Sequence, residues 1–303
     1  MKVAALDLGS NSFLCLIVEG DASGIQKVLS DQVKVVRLGQ GVGQSGVFHP
    51  DALARARMCL QEFKKEIDRH QVDRILAMAT SAARDAKNGE ELFKIGRDLG
   101  IPIEIIPGED EARITFAGAT EGHLPEKGNV AVIDVGGGST EVIIGDRSGL
   151  HFSKSLNIGC VRLTEKFISS QPLPASERMA VESAIDGAYK DLLPELQKYS
   201  FESILAVAGT PSAIAAAELG KFDASRVHGY VLDQTTLKKW CDRLASTSVE
   251  EKIEKYKIES GRADVLFVGA TLLHRFLLTL SKPSMKVSIK GVRYGVALEI
   301  LRR

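Results

Sequence analysis

One run of residues carries the strongest chemical signal in the chain: Asp134-Val135-Gly136-Gly137-Gly138-Ser139-Thr140-Glu141. Three glycines after an apolar strand let the backbone approach an anion closely and aim several N–H groups at it, where side chains would obstruct. Ser139 and Thr140 add hydroxyl donors, and Asp134 and Glu141 flank the loop as oxygen ligands suited to Mg²⁺ or another divalent cation. An ordinary glycine hairpin would leave both acids and both hydroxyls surplus. The pattern therefore reads as a phosphate cradle with a metal beside it.

A second loop resembles the first. Aligning Asp7 with Asp134 places Gly9 on Gly136 and Ser12 on Ser139, and Ser10, Asn11 and Ser12 supply short donors. Alone this would be a plain Asx or Ser turn, and Asp7 is either a metal or water ligand or a strand-end carboxylate capping its own loop. A further pair matches too: Arg74 to Thr80 is an apolar run leading into a helix at Ser81, and Ser203 to Thr210 leads the same way into Pro211 to Leu219. Gly209 and Thr210 thus stand at a helix start, where free backbone N–H groups bind phosphate.

Two charged features lie outside these loops. Glu109-Asp110-Glu111 opens a helix after Pro107-Gly108. Acids there complement the helix dipole, but a carboxylate whose proton affinity is raised by neighbouring phosphate also takes a proton from water. Spacing does not say which of the three it would be. Arg84 lies near the end of the first lobe's second strand-to-helix unit, Arg74 to Lys87, where a guanidinium either grips phosphate bidentately or pairs with Asp85 or Glu90.

The elements that must position these residues come in a repeated order. Val3 to Leu8, Phe13 to Val18 and Ile25 to Leu38 read as three strands, with a helix from Pro50 to about Arg69. Val130 to Val135, Glu141 to Ile144 and His151 to Asn157 repeat them, with a helix near Arg162 to Ser169. A short strand at Ile103 to Ile106 precedes the acidic helix. Two matches in the same order imply two α/β lobes of one topology, related by duplication, with sites at the carboxyl ends of strands and the matched loops facing across a cleft.

Composition is compatible with this and narrows the partners. At 303 residues two lobes are expected, and 44% hydrophobic content with 26% charge is that of a globular chain. Lys+Arg and Asp+Glu both number 39, so no global field draws the protein to nucleic acid or a membrane. No apolar stretch is long enough to span a bilayer, and the start MKVAALDLGSNS lacks a signal peptide's apolar core, so a cytoplasmic location is expected. Cys15, Cys59, Cys160 and Cys241 have neither disulfide nor metal spacing and are expected as buried free thiols.

With LDLGSNS, ATSAARDAKNG, IPGEDEAR, VIDVGGGSTE, IGCVRLTE and AGTPSAI in this order, the chain resembles the exopolyphosphatase and guanosine pentaphosphate phosphohydrolase (Ppx/GppA) family, from about Val3 to the GVRYG segment. The resemblance implies two ribonuclease-H-like lobes of the actin-like ATPase superfamily around a central cleft. It places the first lobe at residues 1–122 plus about 284–303, and the second at 123–283. It makes Glu111 the general base, Glu141 the metal-associated acid, Asp134 a further metal-site residue and Arg84 the phosphate-gripping arginine. It also suggests a homodimer. Three departures stand out: the chain stops at Arg303 without the added helical region of longer members, Ala208 replaces the first glycine of a Gly-Gly-Thr loop, and Pro107 replaces a serine.

The resemblance implies release of terminal phosphate from inorganic polyphosphate, with removal of the 5′-phosphate of guanosine pentaphosphate as the alternative using the same residues. Lys282, Lys286, Lys290 and Arg293 would form the basic track a neutral protein needs, or a solvated charge run. An actin-like-fold ATP-dependent kinase and a non-catalytic polyphosphate or alarmone sensor are the readings from other classes. The kinase lacks an evident sugar-binding insertion, and a sensor needs no base.

Overall fold

The computed structural model describes residues 1–122 and 124–303; residue 123, the expected start of the second lobe, lies outside the described residues. The chain divides into two compact units, Met1–Glu121 with Lys290–Arg303, and Gly122–Ile289.

In the first unit β1 (Lys2–Leu8), β2 (Ser12–Asp21), β3 (Gly24–Val35), β4 (Arg74–Ala79) and β5 (Ile103–Ile105) form one sheet in the order β3-β2-β1-β4-β5. The β1, β2 and β3 pairings are antiparallel, and β4 and β5 add in parallel beside β1. Period-two alternation decides what covers each face. Ala4, Leu6 and Leu8 share a core with Leu53, Ala56, Leu60, Phe63 and Ile67, which recur at helical spacing along the helix Pro50–His70. Val3 and Ala5 turn the other way, into a core with Ile114 of the helix Gly108–Ala119 and Val296, Ala297 and Ile300 of the helix Val292–Arg302. Truncating a fully buried residue such as Phe63 to alanine would cost about 3–5 kcal/mol.

In the second unit β6 (Asn129–Val135), β7 (Thr140–Asp146), β8 (Gly149–Leu156), β9 (Phe201–Val207), β10 (Val231–Asp233) and β11 (Ser284–Val287) are ordered β10-β11-β9-β6-β7-β8. Read from the other edge, β8-β7-β6-β9-β11 repeats the first sheet's order and its parallel and antiparallel pairings, and β10 is an added antiparallel edge strand. The two units are therefore duplicated ribonuclease-H-like lobes of the actin-like type, each with helices on its sheet.

Even the turns repeat. Asp21 accepts hydrogen bonds from the backbone N–H and hydroxyl of Ser23 ahead of Gly24, and Asp146 does the same with Ser148 ahead of Gly149. Both glycines adopt positive φ, 137° and 136°, which an L side chain resists. The strand boundaries differ from expectation mainly by extension: β2 runs on to Asp21 and β7 begins at Thr140 rather than Glu141. Ladder pairing with neighbours recruits these polar ends, which apolar periodicity does not register. Among the described residues no helix is long and apolar enough to cross a membrane.

Candidate active site

The matched loops have the same skeleton. Gly9 N–H donates to the Ser12 carbonyl at 3.1 Å, and Gly136 N–H to the Ser139 carbonyl at 3.0 Å. A Cβ on either glycine would stand 3.0 Å from that same carbonyl, so glycine gives both loops their close backbone approach without pressing on the turn. The loop carbonyls are occupied from behind. In the first unit Ser10 and Asn11 accept from the N–H groups of Gly39, Val36 and Arg37. In the second, the carbonyls of Gly136 and Gly137 accept from Cys160, Val161 and Arg162 at the start of the helix Cys160–Phe167, and Arg162 Nε donates to the Gly138 carbonyl at 2.7 Å. Turning the carbonyls toward that helix leaves the opposite, N–H edge of the glycine run for an anion.

The duplication breaks at one register position. Asp7 pairs with Leu14 across β1 and β2, whereas Asp134 pairs with Glu141 across β6 and β7. Directly opposed residues of an antiparallel pair project to the same face, so the second unit places two carboxylates side by side at the foot of its loop. Both are buried, Asp134 at 7% and Glu141 at 1% exposure. The Ser155 hydroxyl donates to Glu141 Oε1 at 2.7 Å and fixes its direction. Two carboxyl groups buried on one face at directly opposed register positions are a donor set that a divalent cation would satisfy. Mg²⁺ is commonly held by one or two carboxylates together with substrate phosphates and water, so the donor set fits it. Asp7, the third expected metal ligand, belongs to the first unit, and among the described residues no group of three or more His, Cys, Asp or Glu is assembled for a metal.

The acidic helix start separates the residues that spacing left equivalent. Glu109 and Asp110 are exposed, while Glu111 is 6% exposed. Arg84 Nη1 donates to Glu111 Oε2 at 2.6 Å and to the Ile106 carbonyl at 2.9 Å. Arg84 is thus engaged by Glu111, while Glu90 pairs with Arg97 instead. The buried base candidate and the phosphate-gripping candidate are a single ion pair within the first unit.

The side chains of other expected ligands have partners within the protein. Thr140 is fully buried and gives its only hydroxyl proton to the Ile158 carbonyl at 2.6 Å, so it braces the loop rather than offering a donor to phosphate. Thr210 packs its side chain where a Cβ on Gly269 would stand. At Gly209 the Arg262 guanidinium occupies the space a side chain would take. Ala208, just before it, has φ 76°, a strained value for an L residue that costs on the order of 1–3 kcal/mol and concentrates at functional sites. Arg262, in the short helix Ser260–Ala263, was not legible in the sequence: a lone arginine so distant in the chain carries no spacing signal.

The basic track is not assembled. Arg293 forms a two-point pair with Asp31 at 2.8 and 2.9 Å, Lys290 pairs with Glu121, and Lys282 donates to the Phe201 carbonyl at 2.9 Å. Lys286 alone of the four is exposed. A charge run looks the same in sequence whether its partners are water or distant carboxylates. The four cysteines are free and buried, and burial pushes the thiols of Cys15, Cys59 and Cys241 up to about 12 and that of Cys160 to about 11. At neutral pH none is a thiolate nucleophile.

Two lobes of this topology, each ending its first strand in a glycine-braced loop, form a fold suited to holding phosphate at the carboxyl ends of its strands. The chain belongs to the Ppx/GppA phosphatase family, whose model matches residues 16–303. It is 32% identical to Exopolyphosphatase 2 of Mycobacterium tuberculosis, over 99% of this chain and 98% of that protein. The crystal structure of the Aquifex aeolicus family member is 31% identical, with TM-score 0.81, covering 99% of this chain and 97% of that one. An exopolyphosphatase from Cytophaga hutchinsonii superposes with TM-score 0.91 over 99% and 98% of the two chains and, at 24% identity, shows the shared fold. With this family the chain is a hydrolase of phosphoanhydride bonds.

Proposed function

We propose that the chain is an exopolyphosphatase that releases terminal orthophosphate from inorganic polyphosphate, with water activated by Glu111 as the nucleophile. The observation that carries the reading is the buried Glu111–Arg84 pair. Of three acids at one helix start, only Glu111 is withdrawn from solvent and held in direction by a guanidinium. A buried carboxylate kept at such a position suits proton abstraction.

In the proposed reaction the oxygen of water attacks the terminal phosphorus as its proton passes to Glu111. The anhydride P–O bond breaks, and the shortened chain leaves with the bridging oxygen. Both hydrogen bonds of Arg84 to protein use Nη1, so Nε and Nη2 remain to hold a phosphoryl oxygen and offset its charge. The N–H edge of Gly137 to Ser139 is assigned to the phosphate chain, the Gly136 N–H being spent on the Ser139 carbonyl within the loop. Asp134 and Glu141 would hold a divalent cation, which when bound neutralises charge on phosphoryl oxygens. The filled surroundings of Gly209 and Thr210 support a polyphosphate over a nucleotide, since neither residue offers a side chain to a base or ribose.

The test is phosphate release from long-chain polyphosphate, guanosine pentaphosphate and ATP, with and without Mg²⁺, for the wild type and Glu111→Gln. The reading expects polyphosphate to be the preferred substrate, turnover to need metal, and the variant to lose turnover. Preference for guanosine pentaphosphate would replace the substrate. Unchanged turnover in Glu111→Gln would remove the base. Binding of polyphosphate without release from any substrate would make the chain a sensor, and phosphoryl transfer from ATP to an acceptor a kinase.

A further inference from the structure

The helix Gly108–Ala119 presents Glu111, Ile114, Thr115 and Gly118 at spacings of three, four and seven residues, so all four lie on one face. All four are buried. Against this helix, in the same unit, lies the helix Val292–Arg302. The approach leaves no room for a side chain at two points. A Cβ on Gly118 would overlap the Gly291 carbonyl and stand 2.7 Å from the Gly295 nitrogen. A Cβ on Gly295 would overlap the Ile114 carbonyl and reach within 2.7 Å of the Ile114 carbonyl carbon. These are backbone atoms and cannot swing aside as a flexible side chain would. Ion pairs tie the contact beyond both glycines: Arg113 to Glu299 at 2.6 Å, and Lys290 to Glu121.

We propose that Gly118, Gly291 and Gly295, with the Arg113–Glu299 pair, are positioning residues that set the height of Glu111 for proton abstraction. The inference rests on Glu111 being the base. Ile114, whose carbonyl meets Gly295, is one helical turn from Glu111 on the same face, and a helix transmits a displacement along its length with little loss. Any residue larger than glycine at 118 or 295 pushes the acidic helix away from its partner by on the order of 1 Å, and misplacement of that size costs about 10²-fold in rate. Most of the grip on the phosphate chain is assigned to the glycine run of the other unit, and Arg84 keeps its bond to the Ile106 carbonyl, so the loss falls mainly on kcat.

The full chain is assayed for phosphate release from polyphosphate with Mg²⁺, comparing wild type, Gly295→Ala, Glu111→Gln and the double variant, with folding checked by circular dichroism. Gly187→Ala is the control, because nothing lies within 4 Å of a Cβ at that helical position and it stands in the other unit. Gly295→Ala is expected to lower kcat roughly 10²-fold with KM within about twofold. The double variant should be no slower than Glu111→Gln, because a misplaced base and a missing base are the same defect. Gly187→Ala should match wild type. If Gly295→Ala does not fold, Glu299→Gln replaces it, with kcat expected to fall about 3- to 10-fold at unchanged KM. A folded Gly295→Ala with wild-type kcat, losses that multiply in the double variant, or an unaffected Glu299→Gln in its stead would each overturn the inference while leaving the base intact. Full activity of Glu111→Gln would instead sink the base reading itself.

Discussion

Arg84 Nη1 lies 2.6 Å from Glu111 Oε2, joining the end of one short helix to the first turn of another. Each partner was separately expected at a phosphate site, but their pairing makes the two interdependent. Removing Arg84 leaves a buried carboxylate without its counter-charge, and removing Glu111 frees a guanidinium that is 24% exposed.

Arg84→Ala should therefore lose both activity and stability, whereas Glu111→Gln should lose mainly activity. The loss of a buried partner costs up to about 3–5 kcal/mol, reduced here because Arg84 is partly solvated. Glu111→Gln keeps the shape and a hydrogen-bond acceptor and should lower kcat by about 10²- to 10⁴-fold. Denaturant titration beside steady-state kinetics reads both. Equal stability losses in the two variants would contradict the asymmetry.

Asp134→Asn should separate the metal from the fold. Asparagine keeps the size of the side chain and an oxygen acceptor while removing one of the two opposed buried carboxyl groups, so in chelator the variant should melt close to the wild-type temperature. Added Mg²⁺ should raise the melting temperature of the wild type by a few degrees, because binding to the folded state stabilises it, and leave the variant nearly unmoved. An equal Mg²⁺ response in both proteins, measured by thermal scanning, would take the metal away from this pair.

The loops and topology were legible because their determinants are local. Gly9 and Gly136 each make a close backbone contact three residues away that a side chain would crowd, and Asp21 and Asp146 cap turns two residues on. What escaped was long-range. Spacing within one helix turn does not encode which of Glu109, Asp110 and Glu111 is buried and paired with Arg84; only the family resemblance singles out Glu111. Arg293 meets Asp31 from the opposite end of the chain, and Arg262 fills the space at Gly209 with no motif linking them. Thr140 and Thr210 have the composition of ligands, but the Thr140 hydroxyl bonds to the Ile158 carbonyl and the Thr210 side chain packs against Gly269.

Gly209→Ala should test the arginine above it. The added methyl collides with the guanidinium, so Arg262 must leave its position, where Nε now donates to Glu259 at 3.0 Å. Activity should fall if Arg262 serves the phosphate site, and Arg262→Ala should then restore room and fold stability to the Gly209→Ala background without restoring activity. Recovery of full activity in that double variant would show that the arginine only fills space.

Lys252 offers a stability signal at alkaline pH. Its side chain is fully buried, donates to Gln171 Oε1, and burial holds its ammonium down to about 8 against the pull of Asp264 and Glu251. In the unfolded chain the same group titrates near 10.5. Between these values the unfolded state binds more protons than the folded state, so stability from this group rises with pH through that window and is flat below it. The full swing is at most about 3 kcal/mol. Lys252→Met carries no titrating group there, so the stability of wild type minus variant should climb from pH 8 to pH 10 and stay level from pH 6 to pH 7.5. Urea titrations of both proteins across that range measure the difference directly, and a difference that falls above pH 8 would mean that the charged form is the one the folded protein prefers.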